Sequence, residues 1–478
     1  MLYKQYICGR MVDGEGVPFD VINPKNGEVA GTVGTASAAQ VTQALEAAQK
    51  AFPIWSRTPI QTRIDYLEKL KAAVMKRKDQ IINTLFNESG KTIMDATFDF
   101  MNIPARIDYY VQEMLRVYGT TLPEYRHDIG YCFTAVEKKP RGVVVAHLAW
   151  NAPLGGVGFR AASAMMAGCP VIIKPSSETP LSTLLIGEAA EEAGIPEGVL
   201  SIVHGPSSIV GKTLNESTIP AMITLVGSAE TGLKVMQEGS TSIKYYSLEL
   251  GGNCPVIVMP DADLDEAAKG TVGIKTLSSG QICSGYNRIY VHESVYEQYL
   301  EKVVAAITKV PVTMGETPGP GMSSMINFKA RDRMFELIDE AVKGGATLLC
   351  GGDIPKGLEK GAFINPAVLK DVKDDMRVCR EEIFGPIVAV QPYSDFDDVL
   401  KRAVDTNYGL TSYLFGHDSR AIGKACEYFE SGEVVINATD VNGIQFPHPG
   451  WKASGLGCAY GTWSLEEYFR IKRITIKL

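Results

Sequence analysis

Residues 142–174 have the sequence GVVVAHLAWNAPLGGVGFRAASAMMAGCPVIIK, and this stretch decides the fold of the chain. It opens with an uncharged, β-branched run, passes through a glycine-rich turn into an Ala- and Met-rich segment, and closes on a second β-branched run. Short apolar runs that alternate with helical segments are typical of parallel βαβ units. The stretch therefore predicts two parallel strands joined by a helix.

Strand and helix patterns alternate on both sides of this stretch. Upstream, the sequence predicts helices at 38–51, 61–87 and 97–117 and a short strand at 131–139. Downstream, it predicts helix 181–193, strands 198–203, 221–226, 255–259 and 288–291, helices 295–308 and 329–343, and strands 387–391, 434–437 and 470–478. We therefore predict an α/β protein built on a doubly wound parallel sheet.

Glycine-rich turns between strand and helix mark candidate phosphate sites. The first is 156–161 (GVGFRA), and the next strand ends at Lys174, whose position suits the adenosine ribose of a dinucleotide. A second candidate comprises 205–211 (GPSSIVG) and 226–228 (VGS), each placed after a strand. Such turns equally often serve only tight packing. The sequence leaves both interpretations open.

Two reactive residue types occur in unusual surroundings. Cys283 lies in the Gly/Ser-rich loop 277–285, which favours a reactive thiolate over a buried structural cysteine. No histidine is near in sequence, so a Cys–His pair is not indicated, although a distant partner remains open. Glu249 stands between two leucines before a glycine pair. It is either a surface charge at a strand end or a partly buried general base.

Composition limits the class of protein. The 478 residues are enough for two or three domains, with 45% apolar and 21% charged residues as in globular proteins. A net charge of −8 disfavours nucleic acid or an anionic membrane as partner. Nine scattered cysteines without a CxxC pair, and no apolar leader in residues 1–10, predict free thiols and a cytoplasmic location. Six scattered histidines predict no metal site.

Together, and in this order along nearly the whole chain, these segments resemble the aldehyde dehydrogenase superfamily. Each motif is weak alone, but the set is specific. The motifs that carry the resemblance are Trp150-Asn151 with Pro153, Lys174-Pro175, Gly227-Ser228, Leu248–Gly252, Gly280-Gln281 with Cys283, Glu381–Pro386 (EEIFGP), Asn407–Leu410 (NYGL) and Pro447–Gly457.

The resemblance implies a covalent mechanism. Cys283 would attack the aldehyde to form a thiohemiacetal, and the Asn151 amide with the Cys283 backbone N–H would stabilise the oxyanion. Hydride would pass to nicotinamide, and Glu249 would then activate water to hydrolyse the thioester. A CoA-acylating relative, which would release an acyl-CoA, is the main alternative, and retention of Glu249 argues against it. A semialdehyde dehydrogenase with a carboxylate-bearing substrate is a second alternative.

Two further alternatives belong to other classes, a cofactor-independent thiol hydrolase and a binding protein that reuses the fold. The cofactor residues argue against the first, and the complete catalytic set argues against the second. The residues that the resemblance assigns to the cofactor are Trp150, Lys174, Ser177, Gly227, Ser228, Glu382 and Phe384.

Ser177 departs from the family pattern. Many NAD-preferring members carry a glutamate three residues after the lysine, but here Ser177 takes that position and the acid follows at Glu178. A carboxylate there would bind the ribose 2′-hydroxyl and repel a 2′-phosphate, whereas a serine does neither. We therefore predict NADP or NAD as cofactor, with NADP accepted and preferred. A merely permissive serine is the alternative.

The substrate end also departs from the pattern. Phe159 and Arg160 stand where family members carry other residues before or at a lysine, and Ile282 and Ser284 flank the nucleophile. Arg160 would bind a substrate carboxylate or form a structural ion pair, the second being favoured. His448, in the segment 446–451 (FPHPGW), would add polarity to the pocket mouth or be a solvated loop histidine.

The fold implied by the resemblance has three parts. Residues 1–122 and 142–248 would form the doubly wound cofactor domain and 249–440 an α/β catalytic domain. Residues 123–141 and 460–478 would form a small β extension that pairs subunits. The expected partners are a small aldehyde and further copies of the chain, as a homodimer or homotetramer.

Overall fold

The computed structural model describes residues 2–123, 128, 132–439 and 443–477. Parts of the predicted β extension, at 124–127, 129–131 and 478, and the last residue of the predicted catalytic domain, at 440, lie outside them. The helices are α1 (Ala38–Trp55), α2 (Ile60–Lys76), α3 (Lys78–Ser89), α4 (Ile93–Met114), α5 (Pro153–Ala167), α6 (Leu181–Glu192), α7 (Lys212–Glu216), α8 (Ala229–Glu238), α9 (Leu264–Thr276), α10 (Tyr296–Ile307), α11 (Phe328–Lys343), α12 (Arg377–Arg380), α13 (Phe396–Val404), α14 (Ser419–Tyr428) and α15 (Gly461–Glu467).

The strands range from two to nine residues. They are β1 (Leu2–Tyr3), β2 (Gln5–Ile7), β3 (Arg10–Val12), β4 (Phe19–Ile22), β5 (Val29–Val33), β6 (Thr120–Leu122), β7 (Cys132–Pro140), β8 (Val143–His147), β9 (Val171–Lys174), β10 (Leu200–Ile202), β11 (Pro220–Val226), β12 (Tyr245–Glu249), β13 (Cys254–Val258), β14 (Tyr286–His292), β15 (Thr347–Cys350), β16 (Ala367–Lys370), β17 (Ile387–Tyr393), β18 (Tyr408–Gly409), β19 (Thr411–Phe415), β20 (Glu433–Ile436), β21 (His448–Pro449), β22 (Trp451–Lys452), β23 (Gly455–Leu456), β24 (Cys458–Ala459) and β25 (Phe469–Lys477).

The first large sheet has the order β23-β12-β11-β8-β9-β10-β2-β3. Its five central strands are parallel, and both faces are covered by helices and buried apolar side chains. Strands β8 and β9, which the opening stretch of sequence predicted, pair in parallel from Val144 with Val171 to His147 with Lys174. Their carboxyl ends lie at the same sheet edge, where ligands of doubly wound sheets bind.

The second large sheet has the order β15-β16-β17-β14-β13-β19-β20, parallel except at β15. The chain crosses from the first sheet to the second at 250–253, between β12 and β13. A three-stranded antiparallel sheet, β25-β7-β6, stands apart from both. The predicted α/β class with parallel sheets is confirmed, whereas the exact domain boundaries stay predictions.

The segment 151–158 was predicted as a glycine-rich loop before a helix, and this prediction is wrong. Helix α5 begins at Pro153, a residue whose fixed φ suits the first helical position. Gly155 and Gly158 pack against α4, and a Cβ on Gly158 would lie 2.8 Å from the Ile103 Cα. Packing therefore accounts for these glycines, and the phosphate interpretation of 156–161 stays a prediction.

The predicted helix 61–87 is divided in two at Arg77, between α2 and α3. Several short strands, among them β12 and β19, carry no pattern strong enough to have been predicted. None of the helices in the described part of the chain has an apolar stretch long enough to cross a bilayer.

Candidate active site

The loop that carries Cys283 is held in an uncommon conformation. Ser278 and Ser279 have φ of 47° and 57°, and Gly280 follows with 71°. Left-handed backbone at a non-glycine residue costs on the order of 1–3 kcal/mol and persists only where surrounding contacts fix it. Here the Ser279 hydroxyl donates to the carbonyls of Ser323 and Ser324 at 2.9 and 3.1 Å.

The Gln281 side chain ties this loop together. Its amide donates to the Ser278 carbonyl at 2.9 Å, and its oxygen accepts from the Ile326 backbone N–H at 3.0 Å. With both ends of the amide used, the loop after Gln281 is fixed against the segment 323–326. The next residues, including Cys283, are therefore presented from a rigid turn.

Cys283 is more accessible than the cysteine that lies nearest to it. It is half-buried, whereas the neighbouring Cys254 is 1% exposed and donates its thiol to the Cys283 carbonyl at 3.7 Å. Burial raises the pKa of Cys254 to about 12 and that of Cys379 to about 12. Since a thiolate is the reactive form, these buried thiols are inert at neutral pH.

Asn151 reaches the nucleophile loop from the first sheet. It follows β8 and stands just before α5, and its side-chain amide donates to the Gln281 carbonyl at 3.2 Å. An amide group carries two N–H donors, so the second is free to meet an oxygen bound beside Cys283.

Glu249 ends β12, and its side chain is paired with Arg160 of α5. The Arg160 guanidinium is fully buried and donates to Glu249 Oε1 at 2.6 Å, while the Glu249 side chain keeps 11% exposure. Of the two alternatives for Arg160, the structure shows the ion pair and not a free substrate anchor. The pair fixes one carboxylate oxygen and leaves the other for water.

The glycine pair after Glu249 allows two other parts of the site to approach. A Cβ on Gly251 would lie 2.4 Å from Glu382 Oε2, and one on Gly252 would lie 2.4 Å from the Cys283 carbonyl. The Gly252 N–H donates to Glu382 Oε1 at 3.0 Å. Burial raises the pKa of Glu382 to about 7, although this hydrogen bond opposes the rise.

His448 lies against Cys283. Its Nε2 is 4.0 Å from Cys283 Sγ, its Nδ1 is 2.9 Å from Glu433 Oε1, and it is 4% exposed. The interpretation of His448 as a solvated loop residue is therefore wrong. Burial lowers the pKa of His448, but hydrogen bonds to Cys283 and Glu433 outweigh burial and hold that pKa well above its usual range.

Lys174 ends β9 and is 6% exposed. Burial lowers its pKa to about 8. Ser177 follows, half-buried, while the Glu178 carboxylate accepts from Asn327 Nδ2 at 3.2 Å. Glu178, the acid that stands one position after the usual glutamate, is thus hydrogen-bonded to Asn327, the residue that caps α11.

The turn after β11 is built as a helix start. The Ser228 hydroxyl caps α8 by accepting from the Thr231 N–H at 3.2 Å, and the Gly227 N–H donates to the Glu249 carbonyl at 3.0 Å. Free N–H groups at such a helix start attract phosphate. Trp150 and Phe384 meet edge to face at 5.2 Å, with Phe384 at φ 48°.

The predicted pocket residues divide into two groups. The Phe159 ring is buried between Tyr110 and Tyr460, with ring centroids 6.0 and 5.2 Å away. Ile282 is half-buried beside Cys283, whereas Ser284 is 2% exposed and its carbonyl accepts from the Tyr413 hydroxyl at 2.9 Å. Ser284 therefore packs toward the second sheet.

Two partners in this site were not found from the sequence. Glu433 begins an ordinary β-branched strand, and nothing in its local pattern marks it. The pairing of Arg160 with Glu249 joins residues 89 positions apart. Across the described residues, no group of three or more His, Cys, Asp or Glu side chains is arranged to hold a metal ion.

A doubly wound sheet whose strand ends lie near a half-buried thiol, an amide and a carboxylate is the arrangement expected of an enzyme that binds a dinucleotide. The sequence model described as the aldehyde dehydrogenase family matches residues 11–474. The chain belongs to the aldehyde dehydrogenase family.

Relatives with named activities match the chain over its whole length. The chain is 36% identical over 480 residues to the glutarate-semialdehyde dehydrogenase of Pseudomonas putida, covering 100% of this chain and 98% of the relative. It is 34% identical over 481 residues to the NADP-dependent succinate-semialdehyde dehydrogenase GabD of Escherichia coli, with coverage of 100% and 98%. These relatives make the chain an enzyme that oxidises an aldehyde with NAD or NADP.

Solved structures give the same family and fold. A 3,6-anhydro-L-galactose dehydrogenase in complex with NADP superposes with a TM-score of 0.95 at 33% identity, covering 100% of both chains. The lactaldehyde dehydrogenase of Escherichia coli superposes with a TM-score of 0.96 at 30% identity, covering 100% of this chain and 99% of that one.

Proposed function

We propose that the enzyme oxidises a short aldehyde bearing a carboxylate to the corresponding acid, through a thioester on Cys283 with water as the final acceptor. The observation that carries the proposal is the convergence of three groups. A half-buried thiol lies on a rigid loop, Asn151 is bound to that loop, and Glu249 stands at the crossing between the two sheets.

In the first step Cys283 attacks the carbonyl carbon. The free N–H of Asn151 and the Cys283 backbone N–H stabilise the oxyanion, and a fixed donor of this kind contributes about 10²–10³ in rate. A bound nicotinamide would supply the acceptor for the hydride that the Cys283 adduct releases. The thioester then stays activated until an acceptor reaches it.

Glu249 is the base for the second step. Arg160 holds Oε1, so the second oxygen takes a proton from water that attacks the thioester. A CoA-acylating enzyme needs no such base. The test is Glu249→Gln: we expect a single burst of reduced cofactor and steady turnover lowered at least about 100-fold. Restoration of turnover by CoA, with acyl-CoA as product, would reject hydrolysis.

Residues at the ends of β9 and β11 fit a dinucleotide. Lys174 is a buried cation at the position of the adenosine ribose, and the capped start of α8 after Gly227-Ser228 suits the pyrophosphate. At the other end, Glu382 would hold the nicotinamide ribose, with Phe384 and Trp150 beside it. Ser177 places no carboxylate near the 2′-position, which supports use of NADP.

Two observations support a carboxylate on the substrate. The relatives named above act on glutarate and succinate semialdehydes. In this chain the buried Arg106 guanidinium lies 4.3 Å from the Tyr460 ring, which in turn lies 5.8 Å from His448. Among the described residues, Arg106 Nη1 has no hydrogen-bond partner, and a buried cationic donor of this kind suits a ligand anion.

The experiment compares semialdehydes of four and five carbons with neutral aldehydes of equal length, each with both cofactors. We expect Arg106→Met to lower kcat/KM for the semialdehydes about 10- to 100-fold, as loss of a charged hydrogen bond does. Neutral aldehydes should be unaffected. Arg116→Met, which changes an exposed arginine just after α4, is the control. An equal loss for both substrate types would reject the carboxylate anchor.

Cys283→Ser tests the mechanism itself. The variant keeps the side-chain shape but removes the thiolate, so NAD(P)H formation should fall to background. Wild-type turnover in this variant would reject Cys283 as nucleophile.

Assembly and location belong to the same proposal. Strand β25 forms the outer strand of its sheet, and Ile471 on it is 79% exposed. An exposed edge strand that carries apolar residues between basic ones supports pairing with a second copy, as a homodimer or homotetramer. Nine free cysteines support the cytoplasm, and the net charge of −8 supports a small-molecule partner over nucleic acid or membrane.

A further inference from the structure

A line of hydrogen-bonding groups leads away from Cys283 through His448. His448 lies 4.0 Å from the thiol and 2.9 Å from Glu433 Oε1, and the Thr411 hydroxyl donates to Glu433 Oε2 at 2.6 Å. The line joins four elements of the second half of the chain: the loop of Cys283, β21, the start of β20 and the start of β19.

We propose that His448, oriented by Glu433, takes the thiol proton of Cys283 and pairs with the resulting thiolate, making it a further catalytic residue. The inference rests on the proposed role of Cys283 as nucleophile. It adds a base for the thiol, which the mechanism above does not supply.

Geometry supports this role. A 4.0 Å separation is within hydrogen-bond reach for a sulfur atom, and the second ring nitrogen is held by a carboxylate. A nucleophile, a base and a group that orients the base form the general arrangement of an activated nucleophile. The orienting contact fixes the ring so that Nε2, and not Nδ1, faces the sulfur.

Burial makes the carboxylate necessary. His448 is 4% exposed, and a charged imidazolium without a partner is strongly disfavoured in such surroundings. Burial raises the pKa of Glu433, but the hydrogen bond and charge of His448 outweigh it and hold that pKa below its usual range. Once His448 has taken the thiol proton, the charged imidazolium faces a charged Glu433, and the pair is compensated within the protein.

The other groups around His448 do not replace this pair. The Tyr460 ring lies 5.8 Å away at a tilt of 34°, and the backbone of His448 pairs with Ala459 in β24. Cys458, beside Ala459, is a half-buried thiol, and desolvation raises its pKa to about 11. Glu433 thus supplies the negative charge next to the His448 ring, and the thiol of Cys283 supplies the proton that the ring accepts.

The two bases then serve different steps. In the first, the S–H bond of Cys283 breaks, an N–H bond forms at His448 Nε2, and the sulfur keeps the electron pair for attack. In the second, Glu249 takes a proton from water, while Arg160 holds its other oxygen. The leaving thiolate is received again by the imidazolium, so no external proton donor is needed.

The test measures alkylation of Cys283 by iodoacetamide, a neutral reagent, on the full chain without cofactor, with peptide mass mapping. The exposed Cys426 is the internal reference. At pH 6.5 we expect His448→Phe to slow alkylation of Cys283 about 10- to 100-fold, and Glu433→Gln to slow it about 3- to 10-fold. Cys426 should be unchanged. At pH 10 the difference should close, since hydroxide then ionises thiols without a base.

His448→Ala extends the test, because added imidazole fills the space of the missing ring. We expect imidazole to restore at least part of the alkylation rate in this variant, and a folded variant without rescue would count against the proposal. Wild-type alkylation in His448→Phe, with KM raised only for carboxylated aldehydes, would overturn it and leave His448 as a substrate contact. These outcomes concern His448 alone, whereas turnover by Cys283→Ser would reject the proposed function.

Discussion

Ser177 is the residue that we expect to influence the choice between NAD and NADP. Ser177→Glu introduces a carboxylate that would accept a hydrogen bond from the 2′-hydroxyl of NAD and repel the 2′-phosphate of NADP. We expect kcat/KM for NADP to fall at least about tenfold relative to NAD, an effect of about 1.4 kcal/mol. Steady-state kinetics with both cofactors measure it. Glu178→Gln is the control and should leave the ratio unchanged, because that carboxylate already binds Asn327.

We expect the charge of Lys174 to make cofactor binding at the same site depend on pH. Burial lowers its pKa to about 8, so the side chain is charged below that pH and neutral above it. Charge on Lys174 favours the 2′-phosphate, so the dissociation constant of NADP should rise up to about tenfold from pH 7 to 9, following loss of one proton. That of NAD should rise less. Binding titrations measure both constants, and a pH dependence that survives in Lys174→Met would contradict the assignment.

At the scale of the element, two glycines in different helices allow the effect of helix packing to be compared with the effect of helix propensity. Gly158 in α5 has no room for a Cβ against α4, whereas Gly273 in α9 has no atom within 4 Å of one. We expect Gly158→Ala to lower the free energy of unfolding by about 1–3 kcal/mol, since the helices must separate. Gly273→Ala should raise it by about 0.5–1 kcal/mol through helix propensity.

Denaturant unfolding of the two variants measures both changes. Equal effects would mean that Gly158 does not set the α4–α5 distance. The comparison also decides how 156–161 is understood, because a phosphate turn would tolerate a small side chain that faces solvent. Sequence periodicity predicted the helix itself, but it could not show which face of α5 meets α4.

Strand β25 carries the assembly at the scale of the whole molecule. Ile471→Asp places a charge on a 79% exposed apolar position of this outer strand. If β25 pairs subunits, the dissociation constant should rise at least about tenfold, a cost of about 1.4 kcal/mol. Light scattering over a concentration series measures it. Ile243→Asp, at a fully exposed loop position, is the control. A wild-type constant in Ile471→Asp would place the interface elsewhere.

The sequence by itself determined features that depend on neighbouring residues, and features that depend on several weak motifs taken together. The β-branched runs on either side of α5 predicted β8 and β9, because burial on both faces selects uninterrupted apolar strands. The order of weak motifs from Trp150 to Gly457 indicated the family. Cys283 and Glu249 were marked by their immediate neighbours, a strained Ser/Gly loop and a glycine pair, and these signals act within a few residues.

The tertiary structure alone decided which distant groups meet. Cys283 and His448 are 165 positions apart and contact each other because a loop beside the second sheet and the strand pair β21–β24 converge at one place. Arg160 meets Glu249 because α5 packs near the end of β12, which no periodicity records. Periodicity and propensity describe interactions between neighbours in the chain, whereas contacts between strand ends depend on the order of strands in the folded sheet.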